Sequence, residues 1–410
     1  MPKSTGNHLP VLLLAILPKK ERKSHFMQIN TLSATRTRLI TITATIISCG
    51  IIAYIMRGKE DFIRYLIDTD VYRLGAIEFL GEGELYNKDY ATRLINLPFT
   101  YPPFGALFFI PFAFLGQVGA ETLLTVVSAL CLWLSMGAIL RTADIKKPWL
   151  WALWCLPVAL VFEPVHETFQ FGQINLILMT LVIIDITGLI PKLPRGILIG
   201  VAAAIKLTPA YFGLYFLARA QWKGALGVIG GFLGASALAF ICHPATSIQY
   251  FTSVVFHANR IGNPEYAKNV SISGINARTV DSQLVWLIVC VAITALAFFA
   301  ARRATVAQKP LLAIIAIALA CLCVSPVSWS HHWVWLVPTV IVLFIYNYRG
   351  LAIWGVLAAI VFPFHYYLPQ TGGVESEWAL WQQVLGAHYV IFALVILCIT
   401  LRLPKVATAH

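Results

Sequence analysis

The chain has 410 residues, 59% of them hydrophobic and only 12% charged, with a mean hydropathy of +0.77. Apolar runs of bilayer-spanning length recur and strand-like alternation is absent, which excludes a soluble domain and a transmembrane barrel. The net charge of +12 would suggest nucleic acid in a soluble protein. Here the basic residues sit in short loops between spans, as cytoplasmic loops do, and no nucleic-acid partner is expected.

The predicted elements follow from apolar run length and loop charge. Residues 1–37 read as a cytoplasmic, disordered extension whose run Val11–Leu17 is too short to span. Residues 38–402 read as one integral-membrane domain and 403–410 as a cytoplasmic tail. A first span over Leu39–Met56, held inside by Arg36 and Arg38, sends residues 57–100 outside. Val71–Leu80 reads as a short interfacial helix. Tyr101–Leu115 is predicted to lie flat on the outer surface, because a crossing would put Arg141, Lys146 and Lys147 outside.

Spans are then expected over 120–140, 148–162 and 174–190. Residues 196–217, basic at both ends, read as a hairpin of two short helices broken at Lys206-Leu207-Thr208-Pro209. Further spans fall at 224–241, 284–301, 311–324, 333–345, 351–364 and 387–401. The total is about twelve, with every strongly basic short loop inside. The eight cysteines lie in or beside apolar spans without Cys-x-x-Cys or Cys/His metal spacing and read as buried apolar residues.

On this topology the polar residues that packing does not explain gather outside. Asp68, in Ile67-Asp68-Thr69-Asp70-Val71-Tyr72, is a loop acid, a helix N-cap or a general base toward a sugar hydroxyl. Asp70, two residues on, projects differently on a helix, so a different part, catalytic or substrate-positioning, is expected of it. Asp-Thr-Asp also matches the short metal-binding Asp-x-Asp pattern. Lys206, an ammonium in an apolar segment, needs a partner or a task. One such task is gripping a phosphate, with Thr208 adding a hydroxyl. His331 and His332 point about 100° apart on a helix, so one metal between them is not expected, and either suits a phosphate, a sugar hydroxyl or an interfacial role. The tryptophans nearby read as belt residues. Tyr72, Glu163, His166, Gln173, Asn175 and Asn276 complete the set as candidates for sugar or acceptor contact.

Several of these motifs together resemble glycosyltransferase family 87 of the GT-C superfamily, the polyprenyl-phosphate-mannose-dependent mannosyltransferases of actinobacterial envelopes. The likeness runs from about residue 38 to 402. It rests on Asp68-Thr69-Asp70-Val71-Tyr72 with Gly75-Ala76, Tyr101-Pro102-Pro103, Phe171-Gly172-Gln173-Ile174-Asn175, Lys206-Leu207-Thr208-Pro209 and Ser325-Pro326 to His332. The resemblance implies a GT-C-like, multi-pass protein of the plasma membrane whose site faces the periplasm. It implies a polyprenyl-phosphate-mannose donor, a glycolipid or lipoglycan acceptor such as a phosphatidylinositol mannoside, and inversion, with no metal and no cofactor. The family's aspartate base falls on Asp68, although Thr69 stands where an apolar residue is usual. Two rivals remain open: transfer of arabinofuranose from its polyprenyl phosphate, and a flippase or transporter of lipid-linked sugars.

Overall fold

The computed structural model describes residues 33–57, 65–370 and 372–404. Most of the extension assigned to 1–37 lies outside these residues. Its last part does not: the first helix already begins at Ala34, with the Ser33 hydroxyl accepting from the Arg36 amide, and runs to Met56. This corrects the boundary by several residues, because Ala34 and Thr35 extend the span instead of leading to it.

The architecture is all-α and polytopic, with a single two-stranded ribbon, Asp89–Ala91 against Asn96–Pro98, among the described residues. Five helical segments there are long and apolar enough to cross a membrane: Ala34–Met56, Gln117–Thr142, Trp222–Cys242, Gln283–Val306 and Arg349–Tyr366. The number is seven if two bent pairs each count once, Pro148–Leu160 with Glu163–Phe171 (79°) and Leu380–Gly386 with His388–Leu401 (67°). The sequence pattern predicted about twelve spans. Asn175–Thr187 and Pro310–Val324 account for part of the difference, since 13 and 15 residues rise only about 20–22 Å. Pro310–Val324 is buried along nearly its whole length, so other helices shield it from lipid.

The segment between the first two long spans builds the roof of the site. Ile67–Leu80 forms a helix that starts four residues before the predicted one, with Asp68 and Asp70 in its first turn, where the helix dipole favours carboxylates. The stretch expected to lie flat breaks into Pro103–Phe108 and Ile110–Ala113. Pro102 precedes this first short helix and Pro103 opens it, as the missing proline N–H allows.

The predicted break in the basic-flanked hairpin is present. Ile197–Ile205 ends at Lys206, whose backbone is extended, and the chain resumes as a short 3₁₀ turn over Thr208–Phe212 and the helix Gly213–Ala218. At its start, the buried Asp185 carboxylate accepts from the Gly196 and Ile199 amides at 2.6 and 3.2 Å, satisfying donors that the helix leaves free. Ile197–Ile205 packs backbone to backbone against Trp222–Cys242. A Cβ at Gly231 would overlap the Ile197 carbonyl, and one at Gly200 the Val228 carbonyl. Small residues permit this approach, as membrane helix pairs require.

Gly231→Leu therefore forces these helices apart and tilts the element that carries Lys206. Overpacking costs about 1–3 kcal/mol. Thermal unfolding of the detergent-solubilised variant should show a lowered midpoint, whereas Gly230→Leu, with open space around its Cβ, should unfold like the parent.

Candidate active site

Three separate elements converge on one cavity of about 270 Å³. The start of Ile67–Leu80 supplies Asp68, the hairpin break supplies Lys206 and Thr208, and the turn Ser330–Trp335 supplies His332. Tyr72, Tyr101, Gln173, Arg260 and Trp329 are among the polar and aromatic residues of its wall.

Each element is held in place by bonds that its neighbours dictate. Gly172 adopts φ +68°, and a Cβ there would run into the Thr69 hydroxyl, which donates to the Gly172 carbonyl at 3.1 Å. That contact fixes the Gly172-Gln173 turn against the turn of helix bearing Asp68. Gln173 Oε1 then accepts from the Tyr72 and Tyr101 hydroxyls at 3.1 and 3.4 Å, and the Gln173 side chain hydrogen-bonds the Asp68 carboxylate. The histidine turn is tied to residues 268–270 by short backbone bonds. The Val270 amide donates to Ser328 O and the Ser330 amide to Lys268 O, each at 2.9 Å. From the other side, Thr168 Oγ1 and Asn175 Nδ2 both donate to the His331 carbonyl, at 2.9 and 3.0 Å.

The electrostatics follow from that placement. Lys206 Nζ lies 3.1 Å from His332 Nε2 and 5.4 Å from the centre of the Tyr101 ring. An ammonium has only donors, so His332 Nε2 accepts and Nδ1 carries the ring hydrogen. The imidazole thus aims the ammonium and is not itself a donor to the cavity through Nε2. Burial raises the Asp68 carboxyl to about 6, opposed by the Gln173 hydrogen bond and by the Lys206 charge. A carboxylate that titrates near neutrality, beside an ammonium, suits proton abstraction from a hydroxyl.

Other sequence candidates lie elsewhere. Asp70 is no second cavity carboxylate: Oδ1 accepts from Arg73 at 2.8 and 3.0 Å and Oδ2 from the Tyr65 hydroxyl at 2.9 Å. Of the two adjacent histidines, only His332 lines the cavity. His331 packs its ring on Phe171 and its carbonyl on Thr168 and Asn175, leaving His332 alone at the wall. Asn175 instead borders a smaller pocket of about 50 Å³ that shares Lys206, Thr208 and His332 with the main cavity. Glu163 is buried against Tyr389 and His365, His166 meets Gln170, and Asn276 accepts from the Ser282 amide. None of these three lines the cavity. Among the described residues, no three His, Cys, Asp or Glu side chains gather in a metal-holding group.

Sequence reasoning assigned no site role to Tyr101, which entered only through the Tyr101-Pro102-Pro103 motif, to Arg260, or to Trp329, read as a belt residue. Only Arg260 carried a signal, as a cation in a polar stretch that also holds Lys268 and Arg278.

Fold and cavity together describe a polytopic membrane protein with an acid and an ammonium facing one pocket. Comparison with known proteins supplies its family. The sequence model of glycosyltransferase family 87 matches residues 99–326. A Mycolicibacterium smegmatis protein described as a polyprenol-phosphate-mannose-dependent alpha-(1-2)-phosphatidylinositol mannoside mannosyltransferase is 35% identical over 82% of this chain and 84% of its own length. A Mycobacterium tuberculosis protein of the same description is 34% identical over 86% and 88%. A second M. smegmatis protein, described as the corresponding pentamannoside mannosyltransferase, is 33% identical over 66% and 68%. No solved structure matches significantly. The chain belongs to glycosyltransferase family 87.

Because Gln173 stabilises the ionised form of Asp68, its removal raises the carboxyl above its present value near 6. A base works only when ionised, so turnover should fall as pH drops through that value. In Gln173→Ala the acid limb of the turnover–pH profile should move to higher pH. A limb that stays put or moves down would detach Asp68 from the titration.

Proposed function

We propose that this protein transfers mannose from a polyprenyl-phosphate-mannose donor to a phosphatidylinositol mannoside or related lipoglycan acceptor, with inversion, at the outer face of the plasma membrane. The observation that carries this reading is the placement of Asp68, Lys206 and His332 around one cavity.

The acceptor hydroxyl approaches Asp68, which takes its proton as the oxygen bonds to the anomeric carbon. The bond from that carbon to the phosphate oxygen breaks, and polyprenyl phosphate leaves. The phosphate goes from one negative charge to two in this step, so a donor aimed at it binds the transition state more tightly than the ground state. Lys206, aimed by His332 and flanked by Thr208, is that donor. It supplies the positive charge the leaving group needs, and the proposed reaction calls for no metal or cofactor. The prenyl tail has a place to lie: an open apolar groove lined by Leu214, Trp286, Phe298, Phe299 and Val324 meets the cavity at Pro326.

The donor named for the relatives favours mannose over arabinofuranose. The catalytic arrangement favours transfer over flipping, since a flippase needs neither a base nor a leaving-group donor.

The test is transfer of labelled mannose by purified protein in detergent. Asp68→Asn should lose about 10²–10⁴-fold in turnover and Lys206→Ala about 10²–10³-fold, both with the parent's unfolding profile. Asp70→Asn, which loosens the contacts to Arg73 and Tyr65 outside the cavity, should keep most of its turnover. Equal loss in the two aspartate variants would overturn the assignment of the base.

A further inference from the structure

Beyond the reacting cavity, Trp329 borders a second pocket of about 280 Å³, formed with Gly262, Asn263, Glu265, Tyr266 and Glu375. Trp329 lines both spaces and is the partition between them. Its position is fixed rather than adaptable. The backbone on either side of it is bonded to residues 268–270, and Asn269 pairs with Trp329 in an isolated bridge. The Tyr266 ring meets the Trp329 ring edge-on at 6.0 Å and 70°.

The chemistry of this pocket differs from that of its neighbour. The inner cavity holds Lys206 and Arg260, whereas the outer pocket is lined by two carboxylates and no cation. The Glu375 carboxylate is engaged, accepting from the Ala267 amide. Among the described residues the Glu265 side chain has no partner, and Asn263 is exposed beside it. Arg278 next to the pocket is already bonded to the Glu265, Tyr266 and Asn269 carbonyls and to Gln383, so the pocket surface itself presents carboxylates and disfavours a phosphate. A neutral polyhydroxylated ring suits it: indole and phenol rings offer flat apolar surface, while carboxylate and amide oxygens accept hydroxyl hydrogens.

We propose that this outer pocket is a subsite for an acceptor sugar one residue removed from the one being mannosylated. The inference rests on the reading of the inner cavity as the transfer site. It assigns a substrate class: the enzyme elongates an acceptor that already carries at least two sugars, with Trp329 as the wall over which the acceptor glycan bends. Glu265 and Asn263 hold the distal sugar's hydroxyls, and the acceptor's lipid phosphate lies elsewhere.

The experiment compares octyl monomannoside with octyl dimannoside as acceptors, with polyprenyl-phosphate-mannose as donor and purified full-length protein. The quantity read is the ratio of kcat/KM for the dimannoside to that for the monomannoside. It should exceed tenfold in the parent and fall at least fivefold in Glu265→Gln and in Asn263→Ala, carried by the dimannoside KM. Trp329→Phe, which keeps a flat ring, should retain more of the preference than Trp329→Ala. A parent ratio near one overturns the subsite, and so does a preference that survives both pocket variants. Transfer to neither acceptor, with release of no polyprenyl phosphate, would instead count against the proposed function itself.

Discussion

The site depends on one constraint, an ammonium held where the chain should be apolar. An ammonium in an apolar segment is costly to bury without partners. Lys206 meets that cost by standing at the break of a helix, in extended backbone, facing a cavity instead of lipid. His332 takes one of its hydrogens and the Tyr101 ring faces it from another side. The remaining donor capacity points into the cavity, where an anion can use it. The break, the proline at 209 and the turn that presents His332 together house this charge.

The rest of the cavity is built by elements far apart in the chain. Thr69 meets Gly172, Thr168 meets His331, and Val270 meets Ser328. These bonds lie at the ends of helices or in loops, where backbone groups lack helical partners and take side-chain or ladder partners instead. The result is a rigid rim over a bundle whose own packing relies on close helix contacts such as that at Gly231. A preorganised rim of this kind is what positioning a hydroxyl against an anomeric carbon demands.

Much of this was legible in sequence because its causes are local. Span length, loop charge and the Lys206-Leu207-Thr208-Pro209 break follow from hydropathy and proline chemistry, and Asp68 and Lys206 stood out as costly charges. The number of spans was less legible, since a 15-residue apolar run such as Pro310–Val324 reads alike whether lipid or protein surrounds it. Which of the two histidines faces the cavity was not legible, and the choice of Asp68 over Asp70 came only through the family resemblance. Asp70 turns to Tyr65 and to Arg73, its i+3 neighbour on the same helix, a pair that helical spacing does encode. His331 turns to Phe171 through a tertiary contact that no spacing encodes. Trp329 looked like an interfacial anchor because its partners, Tyr266 and the 268–270 strip, come from another loop.

The account is tested most directly by a structure of the protein with a non-transferable polyprenyl-phosphate-mannose analogue. It predicts the phosphate within hydrogen-bond distance of Lys206 Nζ, the sugar's anomeric carbon turned toward Asp68, and the prenyl chain leaving past Pro326. A phosphate bound away from Lys206, or a sugar separated from Asp68 by the Trp329 wall, would contradict it.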